Sequence, residues 1–303
     1  MSVTNATTTA TLSAELKTFY DKNLLREAKP NLVHNQFGQK RNIPKNGGKT
    51  IEFRKFSSLP KAKTALTEGV TPDGQSLTVT AITATIGQYG DYVRITDMLD
   101  LTAIDPILTE TGKLLGNQSG ETLDSLTADV LNAGTNVQYS GGKTARAELV
   151  EGDVLTVDDI KKAVRTLKRN KAKKINGSYV AIIHPDAAYD LTNDPKWEAV
   201  KEYDPKDWYN GEIGRIHGVR FVETTEAVRF ENGDGEVFST LVLGADAYGI
   251  TNIEGGGLEN IIKPFGSGDD PLNQRATSGW KATHVAKILN DLYMVRIESK
   301  ATA

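Results

Sequence analysis

The chain has 303 residues, 38% of them apolar and 25% charged, enough for one large domain or two ordinary ones with a substantial core. Its 36 basic and 39 acidic residues leave a formal charge of −3, which gives no global electrostatic reason to grip nucleic acid. It has no cysteine, which excludes disulfides, thiolate nucleophiles and cysteine zinc sites while leaving the redox compartment open.

The opening "MSVTNATTTATLSAELKTFY" lacks a basic segment followed by an apolar block, so no secretory signal is expected. No run approaches about eighteen consecutive apolar residues, so no membrane-spanning helix and no membrane partner are expected. Residues 1–47 read as an arm. Thr4 to Thr11 has little to bury, and a short helix is predicted around Ser13 to Leu25, with Leu12, Leu16, Phe19 and Tyr20 on one side. "NQFGQKRNIPKNGGKT" then lacks periodicity and reads as a surface-tracking segment.

From Lys49 to Thr96 the pattern is that of strands. In "KTIEFRKF", Ile51, Phe53 and Lys55 alternate with Glu52, Arg54 and Phe56, and "SLTVTAITATIGQYGDYVRIT" alternates throughout. Between them "SSLPKAKTALTEGVTPDGQ" carries the turn signal Thr71-Pro72-Asp73-Gly74. This is a long two-stranded excursion with a tip poor in apolar residues. A lone hairpin is marginal in water, so if it projects, something else must cover it.

A long helix is predicted over 105–134, with Asp105 as N-cap, Pro106 at the first helical position and Gly134 as C′ residue. Ile104, Leu108, Leu115, Leu126 and Val130 mark its apolar stripe, supplemented by Leu123. Gly112, Gly116 and Gly120 interrupt it every four residues, and each costs about 0.5–1 kcal/mol relative to alanine. Three on one face predict the close approach of another backbone.

A second block starts near Leu155. Thr156 caps a helix with Asp158 and Asp159 in its first turn and Val157, Ile160, Val164 and Leu167 at helical spacing. "YVAIIHP" is a buried strand, Pro185 opens a short helix through Leu191, and "DPKWEAVKEY" is a further helical piece. "GEIGRIHGVRFVETTEA" (211–227) supplies a hairpin, "VFSTLVLG" and "LENIIKPF" further strands. "GWKATHVAKIL" and "LYMVRIES" read as a final pair of strands joined by Asn290-Asp291. Strands and helices follow no regular βαβ alternation, so the expected fold class is α+β.

The chemical motifs fail one by one. "NGGKT" and "GGKT" lack the leading glycine of a phosphate loop, whose positions hold Ile43 and Val137. Gly211, Gly214 and Gly218 do not fit G-x-G-x-x-G and precede a strand. His34, His184, His217 and His284 are scattered and form no metal-binding pair, and His184 reads as structural. Asp158/Asp159 and Asp269/Asp270 fit helix starts or solvated turns better than an acid/base pair. "ENGDGE" lacks the calcium-loop register and reads as a hairpin turn. No catalytic, cofactor or metal site is expected. One charge cluster stands out: Lys161, Lys162, Arg165, Lys168, Arg169, Lys171, Lys173 and Lys174. It reads as a patch for nucleic acid or an acidic partner, as an acid–base contact between subunits, or as a solvated face complementing the helix dipole. Without interleaved aromatics, base stacking is unsupported.

The order of these pieces, with the stretches "DPLNQRATSGWKATHVAKILNDLYMVRIES" (270–299), "YVAIIHPDAAYDLTNDPKW" (179–197) and "GEIGRIHGVRFVET" (211–224), resembles the major capsid proteins of tailed phages. Those have the Hong Kong 97 fold, and the similarity points to the subfamily of the phage N-four coat protein across essentially the whole chain. The resemblance implies an N-terminal arm (1–47), an extended loop hairpin (48–96) and a peripheral domain (97–154) with a spine helix over 105–134. It further implies an axial domain (155–265) and C-terminal strands (266–303) returning to the peripheral domain. Phe56, Leu59, Lys61, Lys63, Leu66, Glu68 and Asp73 become candidate subunit contacts, and Gly112, Gly116 and Gly120 spine-helix packing residues.

By the same resemblance the function is that of a non-enzymatic shell subunit. It would assemble into pentamers and hexamers of an icosahedral procapsid in the host cytoplasm and end in the virion. Its implied partners are further copies of itself, a portal protein, a decoration protein, packaged double-stranded DNA held weakly and non-specifically, and a separate scaffolding protein, since the arm is too short for a fused one. The alternatives are an encapsulin-like shell around enzyme cargo and an enzyme or surface-binding protein with an α+β fold.

Overall fold

The computed structural model describes residues 24–28, 32–57, 59–71, 73–102, 107–197, 214–267 and 270–302. Residues 24–28 are helical, with Leu24 and Ala28 buried; the rest of the helix expected over Ser13 to Leu25, and the arm before it, lie outside the described residues. The stretch expected to track the surface instead contains a strand, β1 (Gln39–Ile43), which pairs in parallel with β11 (Tyr248–Ile253). Only Ile43 of β1 is buried, so no apolar alternation marks it; its backbone is recruited by a partner some two hundred residues away.

The strands β2 (Thr50–Phe56) and β3 (Val79–Thr85) form a separate antiparallel ribbon, in register from Thr50↔Thr85 to Phe56↔Val79. The long alternating run is not one strand of that hairpin. It breaks at the buried Ile86, and β4 (Gly87–Thr96) pairs antiparallel with β13 (Arg275–Ile288), from Gly87↔His284 to Thr96↔Arg275. Alternation reveals that residues are extended but carries no information about the partner strand.

A short helix α1 (Asp97–Thr102), unmarked in the sequence, precedes α2 (Ile107–Asn132). The expected start of α2 at Ile104, Asp105 and Pro106 lies outside the described residues. Gly134 is not the left-handed cap expected of it, since its φ is not positive. A Cβ there would stand 2.6 Å from Met294 Cε and 2.7 Å from Asp291 Oδ1, so close packing is what requires glycine.

The remaining chain builds two sheets. One has the order β1-β11-β13-β12, where β12 is Glu259–Lys263 and β4 also pairs with β13. The other runs through β5 (Val137–Tyr139), β14 (Met294–Ser299), β10 (Glu236–Leu243), β6 (Tyr179–Ile183), β8 (Val219–Glu223) and β7 (Arg215–Ile216). A further strand, β9 (Arg229–Glu231), pairs with β10 across the turn in "ENGDGE". The last two strands therefore do not pair with each other as expected. β14 is buried at every position and needs neighbours on both edges, which β10 and β5 supply, while β13 is fully occupied in the other sheet.

The helices α3 (Val157–Arg169) and α4 (Pro185–Thr192) cover one face of the second sheet. Ile160, Val164 and Leu167 pack there with Ala181, Ile183, Phe221 and Val295, each buried side chain contributing about 1.5–3 kcal/mol. Thr156 caps α3 as its sequence predicts, accepting from Asp159 N. The other face receives Leu131 of α2 against Val180, Ile182, Leu241 and Met294. Earlier turns of α2 place Leu115 and Leu123 on Trp280 and Ala282 of β13, beside Leu24. One helix thus spans both sheets.

Candidate assembly surfaces

The ribbon is anchored only at its root. Phe53 and Ala84 are buried against Leu289, and a Cβ at Gly249 would lie 2.6 Å from the Phe53 ring, so the ribbon base seats on a strand made bare by glycine. Beyond that root every described residue from 54 to 81 is exposed. Phe56 is 62% exposed, Leu66 77% and Leu77 66%, values that a free-standing fold has no reason to tolerate together. In the tip the backbone makes few bonds to itself, such as Ser57 N to Thr78 O and Val70 N to Thr67 O. All the candidate contacts, Phe56, Leu59, Lys61, Lys63, Leu66, Glu68 and Asp73, stand on this limb, and none of its charged members has an ion-pair partner among the described residues. A second exposed apolar patch, which the sequence reading missed, lies on α1, where Met98 is 64% and Leu101 79% exposed.

The glycine face of α2 is only partly as expected. Leu24 O and Glu27 Cβ stand 3.0 and 2.9 Å from where a Cβ of Gly116 would be, so another backbone does lie against that position. At Gly112 nothing among the described residues comes within 4 Å, and Gly120 is buried. Continued by fours, the same face reaches Asp124 and Ala128, both fully buried. Asp124 accepts from His34 N at 2.7 Å and pairs with His34 Nδ1 at 2.6 Å, while Tyr248 donates its hydroxyl to His34 O. One turn on, Thr127 Oγ1 lies 2.6 Å from Asn35 Oδ1 and 2.9 Å from His284 Nε2. With Thr127 donating to Asn35, its oxygen accepts from His284 Nε2–H, which fixes the neutral tautomer. Burial pushes His284 down to about 4, against an opposing pull from Asp124. The histidines that sequence spacing scatters, His34 and His284, are thus gathered by α2 into one polar seam that ties the stretch around His34 and Asn35 to β13.

That seam is a fastening. Its groups are buried and bonded to each other, His34 Nε2 alone finding no partner among the seam's described residues, and they hold two segments together. His184 caps α4 by accepting from Asp186 N and packs at 4.9 Å on the Phe238 ring; burial lowers its pKa. His217 and Gly218 form the turn between β7 and β8, with φ of 50° and 80°, which makes "GEIGRIHGVRFVETTEA" a hairpin as expected; Gly211 lies outside the described residues. Asp270 is buried and accepts from Arg275 N, so it is not the solvated turn residue expected, and Asp269 lies outside the described residues. Sequence reading also missed a buried ionic knot, where Glu298 accepts from Arg146 Nε and Nη2 at 2.7 Å and forms an ion pair with Arg296 Nε at 2.9 Å, with Arg146 3.6 Å over the Phe230 ring. Residues 146, 296 and 298 are too far apart in sequence to suggest it. Among the described residues no three acids and histidines are grouped to hold a metal, and no helix is long and apolar enough to cross a membrane.

The basic cluster is on one exposed helix and the turn after it. Lys161 and Lys162 are engaged by Asp158 and Asp159 at 3.3 and 3.0 Å, one turn away. Arg165, Lys168, Arg169, Lys171, Lys173 and Lys174 are exposed, and no carboxylate among the described residues pairs with them. The 217–218 turn lies beside this face, since a Cβ at Gly218 would stand 3.6 Å from Lys174 Nζ, and burial, with Lys161 and Lys168, lowers the pKa of His217 against an opposing pull from Asp158.

A well-packed body, bonded polar seams and long exposed limbs are the features of a structural protein. The comparisons give that class its family. The family model described as phage capsid protein matches residues 79–297, and the chain belongs to that family. Among solved structures it is similar to the capsid of Ralstonia phage GP4, with TM-score 0.70 and 17% identity over 88% of this chain and 87% of that one. It is also similar to the capsid asymmetric unit of cyanophage Pam1, with TM-score 0.69 and 15% identity over 88% and 89% of the two chains. A virus-like particle from Pyrococcus furiosus matches with TM-score 0.55 and 12% identity over 93% and 99%. No curated protein matches the chain. The fold is therefore the mixed helix-and-sheet Hong Kong 97 type, and the protein is a capsid shell component of the virion and not an enzyme.

Proposed function

We propose that this chain is the major capsid subunit of a tailed phage, assembling as pentamers and hexamers into an icosahedral head around double-stranded DNA. One observation carries the reading: a ribbon whose described residues from 54 to 81 are all exposed, on a chain of the phage capsid family. Two strands with no third neighbour are marginal alone, and the ribbon becomes worth its ordering cost only when a sibling covers it. Many such weak contacts add up in a closed shell, because each later contact is made at high effective concentration. On this reading the ribbon of β2 and β3 is the extended loop, which ends before β4 because that strand lies in the body's sheet; α2 is the spine helix of a peripheral domain (97–154), 155–265 form the axial domain and 266–303 close the chain.

The near-neutral charge suits a container that must hold DNA without trapping it. The family match favours a phage head over a shell around enzyme cargo. The same reading brings a portal, a separate scaffolding protein, a decoration protein and assembly in the host cytoplasm. Electron microscopy of the chain expressed with its own phage's scaffolding protein tests it. Closed shells built of fivefold and sixfold clusters are expected, and a monodisperse monomer under all conditions would refute it.

A further inference from the structure

The basic face of α3 has a counterpart on the same chain. On α2, Glu121 and Asp129 are exposed in the stripe Glu121, Ser125, Asp129, and Ser125 Oγ donates to Glu226 at 3.3 Å. Glu121, Glu223 and Glu226 line one shallow cleft beside Val33 and Pro185. No cation among the described residues pairs with any of these four acids. The nearby arginines are engaged elsewhere, Arg229 with Glu236 and Arg220 over the ring of Phe37. The helices that carry the two charged faces, α3 and α2, lie on opposite sides of the second sheet, and Glu223 and Glu226 follow at the C-terminal end of β8. α3 packs on one side through Ile160, Val164 and Leu167, and α2 packs on the other through Leu131.

We propose that the basic face of α3 and its turn (Arg165, Lys168, Arg169, Lys171) docks on the acidic ledge (Glu121, Asp129, Glu223, Glu226) of a second copy of this chain. A twofold contact would either set like charges against each other or need both patches on one interface, and α3 and α2 stand on opposite sides of the sheet. The contact is therefore head-to-tail, the kind that closes into rings. A single chain cannot bring its own faces together through the sheet between them, but neighbours in a ring supply each basic face with one acidic face. Nucleic acid is the competing occupant of the basic face. It would leave the acidic ledge unexplained, and the face offers no aromatic ring for bases. Opposite charges across an interface mainly steer encounter and fix orientation, so the contact selects the correct neighbour while apolar contacts hold it.

This inference rests on the shell reading above, and charge exchange in the full-length chain tests it. Arg165→Glu, Lys168→Glu and Arg169→Glu together, or Glu121→Lys, Glu223→Lys and Glu226→Lys together, should each lower ring and shell formation at least about tenfold at low salt. The chain carrying both sets should recover it, because the charges are exchanged and still complementary. Sedimentation velocity reads assembly, circular dichroism verifies folding, and fluorescence anisotropy with a short duplex DNA reads nucleic-acid binding. In the unaltered protein assembly should also weaken on going from ~0.1 to ~1 M sodium chloride, where the screening length falls from about 10 to about 3 Å.

Recovery in the exchanged chain supports the proposal. Variants that assemble normally, or an exchanged chain that stays as defective as the singles, overturn it and leave the shell reading intact. Loss of DNA binding without loss of assembly overturns it in favour of a nucleic-acid face. If the variants do not fold, assembly of the unaltered protein that ignores salt overturns it. An unaltered chain that forms no oligomer removes the shell reading and this contact together.

Discussion

The buried imidazole of His284 makes subunit stability depend on pH in a defined window. In the fold it is neutral, 6% exposed and held by Thr127, and burial lowers its pKa from the ordinary 6.5 to about 4. In the unfolded chain it is free to titrate near its ordinary value. Between pH 6.5 and about 4 the unfolded state therefore binds a proton that the folded state refuses, so stability falls as the pH falls through that window. The full loss corresponds to about 3 kcal/mol, at about 1.4 kcal/mol for each pH unit separating the two values. Above pH 6.5 the contribution is complete and constant.

Urea unfolding of the unassembled subunit at steps between pH 7.5 and 4 measures the effect. His284→Gln keeps an amide donor for Thr127 and carries no titrating group, so its stability curve should be flatter than that of the unaltered chain across the window. Parallel curves for the two proteins, or stability that rises towards pH 4.5 in the unaltered one, would refute the assignment of His284 as the group that resists protonation.

Other expectations follow from the limbs and from α2. Deleting residues 57–76 should leave the subunit folded, with its circular dichroism and melting temperature nearly unchanged, while sedimentation no longer detects stable shells. Loss of the fold itself would contradict a projecting limb. Two glycines of one stripe should respond with opposite signs. Gly112→Ala should stabilise by about 0.5–1 kcal/mol because helix propensity improves and the space is open. Gly116→Ala should destabilise by about 1–3 kcal/mol because its Cβ would strike the backbone of Leu24, and denaturant melts of the two variants check both signs.

What the chain declares locally, it declares well. The cap at Thr156, the apolar repeat from Val157 to Leu167, the wholly apolar "YVAII" and the glycine-bearing turns at 217–218 and 232–235 each depend on residues a few positions apart, and all appear in the fold as expected. The exposed ribbon was legible for the same reason, since a tip poor in apolar residues has little to bury in its own body. Pairing between distant segments was not legible. β1 has one buried residue, β4 was indistinguishable from an extension of the ribbon, and β13 and β14 looked like a hairpin although each belongs to a different sheet. Alternation reports which face of a strand is buried but carries no address for its neighbour.

The same limit governs the polar interior. His34, Asp124, Thr127 and His284 span 250 residues, and only the approach of residues 24–35 to the small-residue face of α2 makes them one seam. Glu298 is an ordinary surface-type residue until Arg146 and Arg296 arrive to offset its desolvation. Sequence by itself determined the helices, the turns and the absence of a local catalytic motif, because those obey short-range sterics and periodicity. Tertiary structure alone decided which strands meet, which charges stay unpaired and on which side of the sheet they stand. Long-range contact is a property of the whole chain's packing, and no window of residues contains it.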